Sequence, residues 1–328
     1  MKQRKLGTNG PSVGIVGLGC MSFGGTMSGS TDQATSFAAM DRAWDMGITH
    51  FDTANIYGPH RSEQVVGEWM ALRGHKPSIA TKASVQRDPA RPVNNDPAYL
   101  ETELEGSFAR LGVDYVDLFY IHRREPAVPI ADVAGLMRRL MDQGKIGGWG
   151  MSEVSPTTLR IAHTETPVSA IQNEYSLWTR QPELGLLQEC ERLGTAFIAF
   201  SPLARGVFGR QIIDPTGPDF GSLRAAMPRF QGENWIQNKK KVEAFRALAM
   251  QMGTSIPALA LAWVMAQGDH IIPIPGSRTS DHIDDWEQAD KLEMTADVLQ
   301  QIDTVLPVGW AWGDRYNEAQ AKTPQRYC

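Results

Sequence analysis

Short apolar runs rich in β-branched residues alternate with longer amphipathic runs from Val16 to Ile274. This alternation constrains the fold of the 328-residue chain more than any other feature. Strand, helix, strand in repetition means parallel strands joined by crossover helices. Eight runs have the length and apolarity of buried strands: Val16–Cys20, Thr49–Thr53, Ile79–Thr81, Val116–Ile121, Gly148–Met151, Ala170–Asn173, Phe197–Phe200 and Ile271–Ile274. Between them apolar residues recur at helical spacing, as in Phe37, Met40, Trp44; Leu100, Leu104, Phe108, Leu111; and Val133, Met137, Leu140, Met141. Each such stripe packs one helix face onto a sheet. Asp96-Pro97 and Ser155-Pro156 each supply a capping side chain followed by proline at the first helical position. Ahead of the first unit, Gln3–Leu6 and Ser12–Ile15 flank Thr8-Asn9-Gly10. Asn-Gly predicts a hairpin, placed to plug the bottom of a barrel.

Eight βα units either close into a barrel or open into a doubly wound sheet. An open nucleotide-binding sheet carries G-x-G-x-x-G after its first strand. Here the segment reads Gly17-Leu18-Gly19-Cys20-Met21-Ser22, without the third glycine. The expected fold is therefore a (β/α)8 TIM barrel forming a single domain over residues 1–328, a usual length for that architecture. One connection is too long for a simple turn. From Leu203 to about Trp235 it carries Gly206, Gly209, Pro215, Gly217, Pro218 and Gly221, and it reads as a lid or binding loop.

Composition excludes several classes. The net charge is −5 and the longest basic run is Lys239-Lys240-Lys241, which argues against a nucleic-acid partner. The three cysteines, Cys20, Cys190 and Cys328, have neither disulfide-frame nor zinc spacing, as suits a reducing compartment. The N-terminus lacks the apolar core of a secretory signal. The longest apolar stretch, Ile256 to Ala266, falls short of the roughly 20 residues that span a bilayer. The expectation is a cytoplasmic protein with no membrane and no metal.

In a barrel of this kind the chemistry sits at the C-terminal ends of different strands. The second run ends in Phe51-Asp52-Thr53-Ala54, with Tyr57 a turn later. The third ends in Ala80-Thr81-Lys82 and the fourth in Tyr120-Ile121-His122. A phenol normally titrates near pH 10, and a neighbouring ammonium lowers that value. Lys82 supplies such a charge, Asp52 fixes Lys82, and His122 orients a carbonyl oxygen that Tyr57 protonates. Taken singly, an Asp–Lys pair or a strand-end His is more often structural. Together at consecutive strand ends they satisfy the geometric criterion for a site.

These segments resemble the catalytic tetrad of the aldo-keto reductase superfamily, and the resemblance runs from Leu6-Gly7 to about Leu292. It implies an NADP-dependent oxidoreductase that reduces aldehydes or ketones, or oxidises the matching alcohols, with Asp52, Tyr57, Lys82 and His122 as the catalytic set. It further implies that Ser152 and Gln172 hold the nicotinamide carboxamide, that Phe200 stacks on the ring, and that Ser201-Pro202-Leu203-Ala204-Arg205-Gly206 clamps the pyrophosphate, with Met21 also beside the cofactor. Gly276-Ser277-Arg278, His282 and Asp285 fall where the family binds the adenosine 2'-phosphate and adenine. Two positions depart from the usual pattern: His282 stands where many members have Arg, and Asp285-Trp286 where many have Glu-Asn. A neutral imidazole holds phosphate less well than a guanidinium, so NAD(H) stays open beside NADP(H). Glu153 occupies a position often taken by Asn.

The resemblance also implies a C-terminal substrate loop and a pocket built from Met21, Phe23, Tyr57, Arg123, Arg124 and Trp178, with Trp310, Trp312, Tyr316 and Tyr327 in the tail. Arg123 and Arg124 attract an anionic substrate group or pair with Glu125 and neighbouring acids. The substrate is a small carbonyl or alcohol; oligomeric state is open. Two rival readings keep the barrel. One is a nicotinamide-sensing or partner-binding subunit with weak catalysis. The other is a metal-dependent hydrolase using His50, Asp52 and His122, which lacks the usual H-x-H pair and leaves Lys82 unexplained.

Overall fold

The computed structural model describes residues 1–24, 31–217 and 220–327. Strands β1 (Gln3–Lys5) and β2 (Ser12–Gly14) pair antiparallel as the expected hairpin. Eight further strands follow: β3 (Leu18–Gly19), β4 (His50–Asp52), β5 (Ser78–Ala83), β6 (Leu118–Ile121), β7 (Trp149–Ser152), β8 (Ala170–Glu174), β9 (Ala196–Phe200) and β10 (Ile271–Ile274). They are parallel and lie in sequence order. The ring closes where Gly17 N–H donates to Pro273 O and Gly19 N–H to Pro275 O, both at 2.9 Å. The first barrel strand is shorter than the expected Val16–Cys20. Gly19 lies so close to β10 that an added Cβ would sit 2.9 Å from the Ile274 carbonyl oxygen.

Helices α1 (Gln33–Asp45), α2 (Arg61–Arg73), α3 (Pro97–Leu111), α4 (Ile130–Asp142), α5 (Pro156–Glu165) and α6 (Leu186–Leu193) fill the first crossovers. The expected stripes face the sheet. Leu100, Leu104, Phe108 and Leu111 are buried, as are Val133, Met137 and Leu140. Asp96 and Ser155 cap α3 and α5 by accepting from Ala98 N and Thr158 N. The long connection after β9 is not structureless. It carries a 3-10 turn at Ala204–Gly206, the short α7 (Ser222–Ala225) and a second turn at Pro228–Phe230. Pro218 in this loop and Cys328 lie outside the described residues. Then come α8 (Gly232–Gln251), α9 (Ile256–Met265), α10 (Ser280–Ala289) and α11 (Ala296–Val305). The apolar stretch from Ile256 is α9, buried along its whole length. No single described helix is long and apolar enough to cross a membrane.

Strand alternation sorts the barrel interior. Ala80, Leu118, Ala170, Ala196 and Ile272 face inward and pack with Leu6 and Val13 from the hairpin, which plugs the bottom. Burying such a side chain contributes roughly 1.5–3 kcal/mol. The same alternation, two residues further along β5, brings Lys82 inward, and Ser152 and Gln172 lie paired side by side near the ends of β7 and β8. The bottom of the barrel is apolar and the mouth polar.

Glycine sets the turn that carries Tyr57. Gly58 has φ +75°, and a Cβ there would overlap the Gly24 carbonyl oxygen. Gly58→Ala is therefore expected to destabilise the fold by more than about 1 kcal/mol, read from the midpoint of urea denaturation. An unchanged midpoint would show that the two backbones need not approach this closely.

Candidate active site

Side chains from β5 and β8 converge on one buried carboxylate at the end of β4. The Lys82 side chain has no exposed surface; its ammonium donates to Asp52 Oδ1 and to the Thr53 carbonyl oxygen at 2.7 Å. Asp52 Oδ2 accepts from Gln172 Nε2 at 2.7 Å, four strands away in the sheet order. An unpaired charge at this depth would be strongly destabilising, so each member of the trio holds the others. Asp52 is thus committed to Lys82 and Gln172, while His50 Nδ1 lies 3.2 Å from Ser78 Oγ. Neither is arranged as a metal ligand.

Tyr57 and His122 stand against this trio. The Lys82 ammonium is 5.2 Å from the Tyr57 ring centroid. The His122 ring is 5.6 Å from that ring and nearly perpendicular to it. Lys82 does pull the phenol pKa down, as expected from the sequence, but it does not win. Burial is the larger effect, Asp52 adds to it, and the Tyr57 phenol ends above its usual value. At neutral pH it is a protonated acid. Burial alone would lower the Lys82 ammonium, yet Asp52 and Tyr57 outweigh it and hold the pKa above the usual value. Burial, with Arg123 and Lys82 adding to it, pushes His122 well below the usual imidazole range. His122 is therefore a neutral ring, able to donate one N–H without carrying charge.

A cavity of about 540 Å³ opens over this group, within the usual size of ligand sites. Asp52, Tyr57, His122, Ser152 and Gln172 line it, and Lys82 lies buried behind them. Phe200 and the following Ser201, Pro202, Leu203, Arg205 and Gly206 form another part of the wall. Here the backbone is strained: Ser201, Ala204 and Arg205 all have positive φ, between 50° and 58°, which L side chains seldom adopt. Arg205 lies over the Phe200 ring at 5.3 Å. Met21, Gly276, Ser277, Arg278 and His282 complete the cavity at the N-terminal end of α10. Burial, with Arg278 and Arg210 adding to it, holds His282 below its usual pKa.

Several expected residues do not reach this cavity. Phe23 is buried in the apolar core outside the barrel. Trp178 packs in an aromatic cluster with Phe230 and Trp310. Asp285 is turned away into an ion pair with Arg210 at 2.6 Å. The two arginines after β6 part company. Arg123 lines the cavity and donates to Ser152 Oγ at 3.1 Å. Arg124 is spent on the Glu125 and Val128 carbonyl oxygens, holding its own loop. Of the aromatic tail only Tyr316 lines the cavity; Trp310 Nε1 donates to Leu177 O, and Tyr327 Oη accepts from Asn173 Nδ2.

Sequence reasoning missed other lining residues: Leu223 and Arg224 on α7, and Gln320, Thr323 and Pro324 in the tail. It also missed the ion pairs behind them. Arg315 pairs with Glu153, and Arg205 with Glu174 at 2.6 Å; Arg205 also donates to Tyr316 Oη at 2.7 Å. Glu153 stands at φ 56° and its carbonyl accepts from Gln325 N–H at 2.9 Å, so the tail is tied to the end of β7. Two acids at consecutive strand ends, one residue beyond Ser152 and two beyond Gln172, were the available signal.

A parallel barrel with a buried Asp–Lys pair, a tyrosine and a neutral histidine at its mouth is equipped for proton transfer to an oxygen. The family model described as "Aldo/keto reductase family" matches residues 15–307. The chain is 36% identical to a probable aldo-keto reductase 1 of Glycine max over 315 residues, covering 95% of this chain and 91% of that one. Its fold is similar to that of a glycerol dehydrogenase from Gluconobacter oxydans, with TM-score 0.83, 29% identity and coverage of 93% and 94%. It is also similar to a thermostable aldo-keto reductase solved with the inhibitor epalrestat, with TM-score 0.73, 25% identity and coverage of 93% and 100%. The chain belongs to the aldo/keto reductase family, and is an enzyme of that family's carbonyl oxidoreductase class, whose cofactors are nicotinamides.

The buried cation has a measurable consequence. Lys82→Met removes the charge that opposes burial at Tyr57 and leaves Asp52 uncompensated, so the phenol pKa moves up. Ultraviolet difference titration, with Tyr57→Phe subtracting the other tyrosines, reads this shift. A phenolate that appears at unchanged pH would mean that Lys82 does not act on Tyr57.

Proposed function

We propose that this enzyme is an NADP-dependent carbonyl reductase, reversible as an alcohol dehydrogenase, with Tyr57 as its general acid and base. The observation that carries the reading is the Lys82 ammonium held between Asp52 and Tyr57 behind the cavity wall. A bound nicotinamide would supply or accept the hydride. The residues present fit such a group. Ser152 and Gln172 offer a hydroxyl and an amide for its carboxamide, and Phe200 a flat apolar face for its ring. The strained Ser201–Gly206 segment suits the close approach of backbone to pyrophosphate. Ser277, Arg278 and the N-terminal end of α10 suit the 2'-phosphate.

His122 donates its N–H to the substrate carbonyl oxygen and orients it; being neutral, it does not compete as an acid. Tyr57 then gives its phenol proton to that same oxygen. Lys82 stabilises the phenolate left behind, and Asp52 keeps Lys82 charged and in place. In the oxidative direction the Tyr57 phenolate takes the alcohol proton. The polar lining from Arg123, Tyr316, Gln320 and Thr323, and kinship with an enzyme named for glycerol, support small hydroxylated aldehydes and ketones as substrates.

Tyr57→Phe is expected to lower turnover by about 10²–10⁴-fold while the NADPH dissociation constant, read by cofactor fluorescence, stays within experimental scatter. Full activity in this variant would remove Tyr57 from the mechanism. With His282 neutral and Asp285 paired to Arg210, preference for NADPH rests chiefly on Arg278. Arg278→Ala should weaken NADPH binding about tenfold or more and leave NADH binding little changed. Equal weakening of both cofactors would place Arg278 elsewhere than at the 2'-phosphate.

A further inference from the structure

Arg123 brings a positive charge to the main cavity that no acid of this chain answers. Its guanidinium reaches the cavity wall, where Nη1 donates to Ser152 Oγ at 3.1 Å and to the His122 carbonyl oxygen at 2.6 Å. Both acceptors are neutral. Among the described residues no carboxylate pairs with Arg123, and its Nε and Nη2 donate to none of them. Glu125, the nearest acid in sequence, is held elsewhere. It accepts from Arg91 Nε and Nη2, both at 2.9 Å, and from Asn95 N–H at 2.8 Å. Asp52, the one acid among the described residues that line the cavity, is committed to Lys82 and Gln172.

The backbone behind this charge is firmly held. Arg123 N–H donates to Ser84 Oγ at 2.9 Å, and the Arg123 carbonyl oxygen accepts from Asn95 Nδ2 at 2.9 Å and from Ser84 Oγ at 3.1 Å. Ser84 and Asn95 have no exposed surface. Ser84 stands at φ +116°, where L side chains seldom sit. Backbone strain of this kind gathers at functional sites.

The cations of the cavity are also divided in space. Arg278 lies just beyond β10 and Arg123 just beyond β6, four places apart in the ring of eight and so on opposite sides of the mouth. On the β10 side Arg278 and Arg224 are close enough for their charges to interact, beside Ser277. That side suits the phosphates of the cofactor. On the β6 side the charge of Arg123 is felt by Tyr57 and His122. A cofactor whose phosphates meet Arg278 leaves the Arg123 charge for another ligand.

We propose that Arg123 is the recognition group for a carboxylate on the substrate, so that the preferred substrates are aldehydes and ketones that also carry a carboxylate. This rests on the carbonyl reductase reading above and narrows its substrate class. A carbonyl seated at Tyr57 and His122 leaves the remainder of a small substrate beside the guanidinium that follows His122 in the chain. A guanidinium fork matches a carboxylate with two parallel N–H donors. The Ser152 hydroxyl accepts from Arg123 and keeps its own proton for the cofactor carboxamide, so the two tasks are compatible.

The test uses substrate pairs that differ in charge at one group: succinic semialdehyde with its methyl ester, and D-glucuronate with D-glucuronamide. With NADPH, kcat/KM of the wild-type enzyme is expected to favour the acid of each pair by about tenfold or more. Arg123→Met should lower the acid-to-neutral ratio by about 10–100-fold, and Arg123→Lys should recover part of it. A wild-type ratio near or below one overturns the proposal and leaves the carbonyl reductase standing. An Arg123→Met variant that keeps the wild-type ratio also overturns it. So does one that loses NADPH affinity and both rates alike, which would make Arg123 a cofactor contact. Calorimetric titration of succinic semialdehyde into the enzyme–NADP+ complex, where no hydride is available, separates the two readings. Binding that the ester lacks and that Arg123→Met abolishes supports the anion site even if no carbonyl is reduced; absence of wild-type binding overturns it. The wild-type comparisons decide even if a variant fails to fold.

Discussion

The ion pair between Lys82 and Asp52 is the constraint around which the mouth of the barrel is organised. A lysine with no exposed surface is tolerated only where an opposite charge and further polar atoms meet it. Here they come from two places in the chain: Asp52 and the Thr53 carbonyl at the end of β4, and Gln172 on β8, which holds the second Asp52 oxygen. That trio requires a closed ring with a fixed register, because a slip of one residue in β5 would turn Lys82 toward the helices. The chemistry and the topology are therefore one requirement. Replacing the pair by apolar residues would suit the core at least as well; what it supplies is a permanent charge beside a phenol.

A second electrostatic layer holds the rim. Glu153, Ser201, Ala204 and Arg205 all sit at positive φ, each costing roughly 1–2 kcal/mol. The ion pairs of Glu153 with Arg315 and of Glu174 with Arg205 offset that strain. They also bring the tail across the barrel mouth, where Asn317 and Gln320 reach the carbonyls of Ala226 and Leu223 on the long loop. Loop and tail are thus braced against each other as well as against the barrel.

The barrel, its eight strands and the hairpin plug were legible because period-two and period-3.6 patterns are local properties of the chain. Asp52, Tyr57, Lys82 and His122 were legible because strand ends in a barrel converge, so position along the sequence implies position in space. Phe23, Trp178 and Asp285 were misplaced for one shared reason. Where a side chain at the rim points depends on partners far away in the chain: the outer core for Phe23, Trp310 for Trp178 and Arg210 for Asp285. The effect of Lys82 on Tyr57 had the right sign and the wrong outcome, since burial, the larger influence, is a property of the assembled barrel. Arg315 carried no local signal; nothing in its own segment points to Glu153.

The distribution of tryptophan has an optical consequence. None of the nine tryptophans lines the main cavity, whereas Trp178 and Trp310 lie 5.6 Å apart where the tail meets the barrel. Part of the indole emission of this protein, that of Trp178 and Trp310, therefore comes from the seam between tail and rim. A ligand seated over Tyr57 dims it only at a distance, by energy transfer, while loosening of the tail changes the surroundings of those two rings directly. The pair thus reports on the tail from outside the cavity that Tyr57 lines.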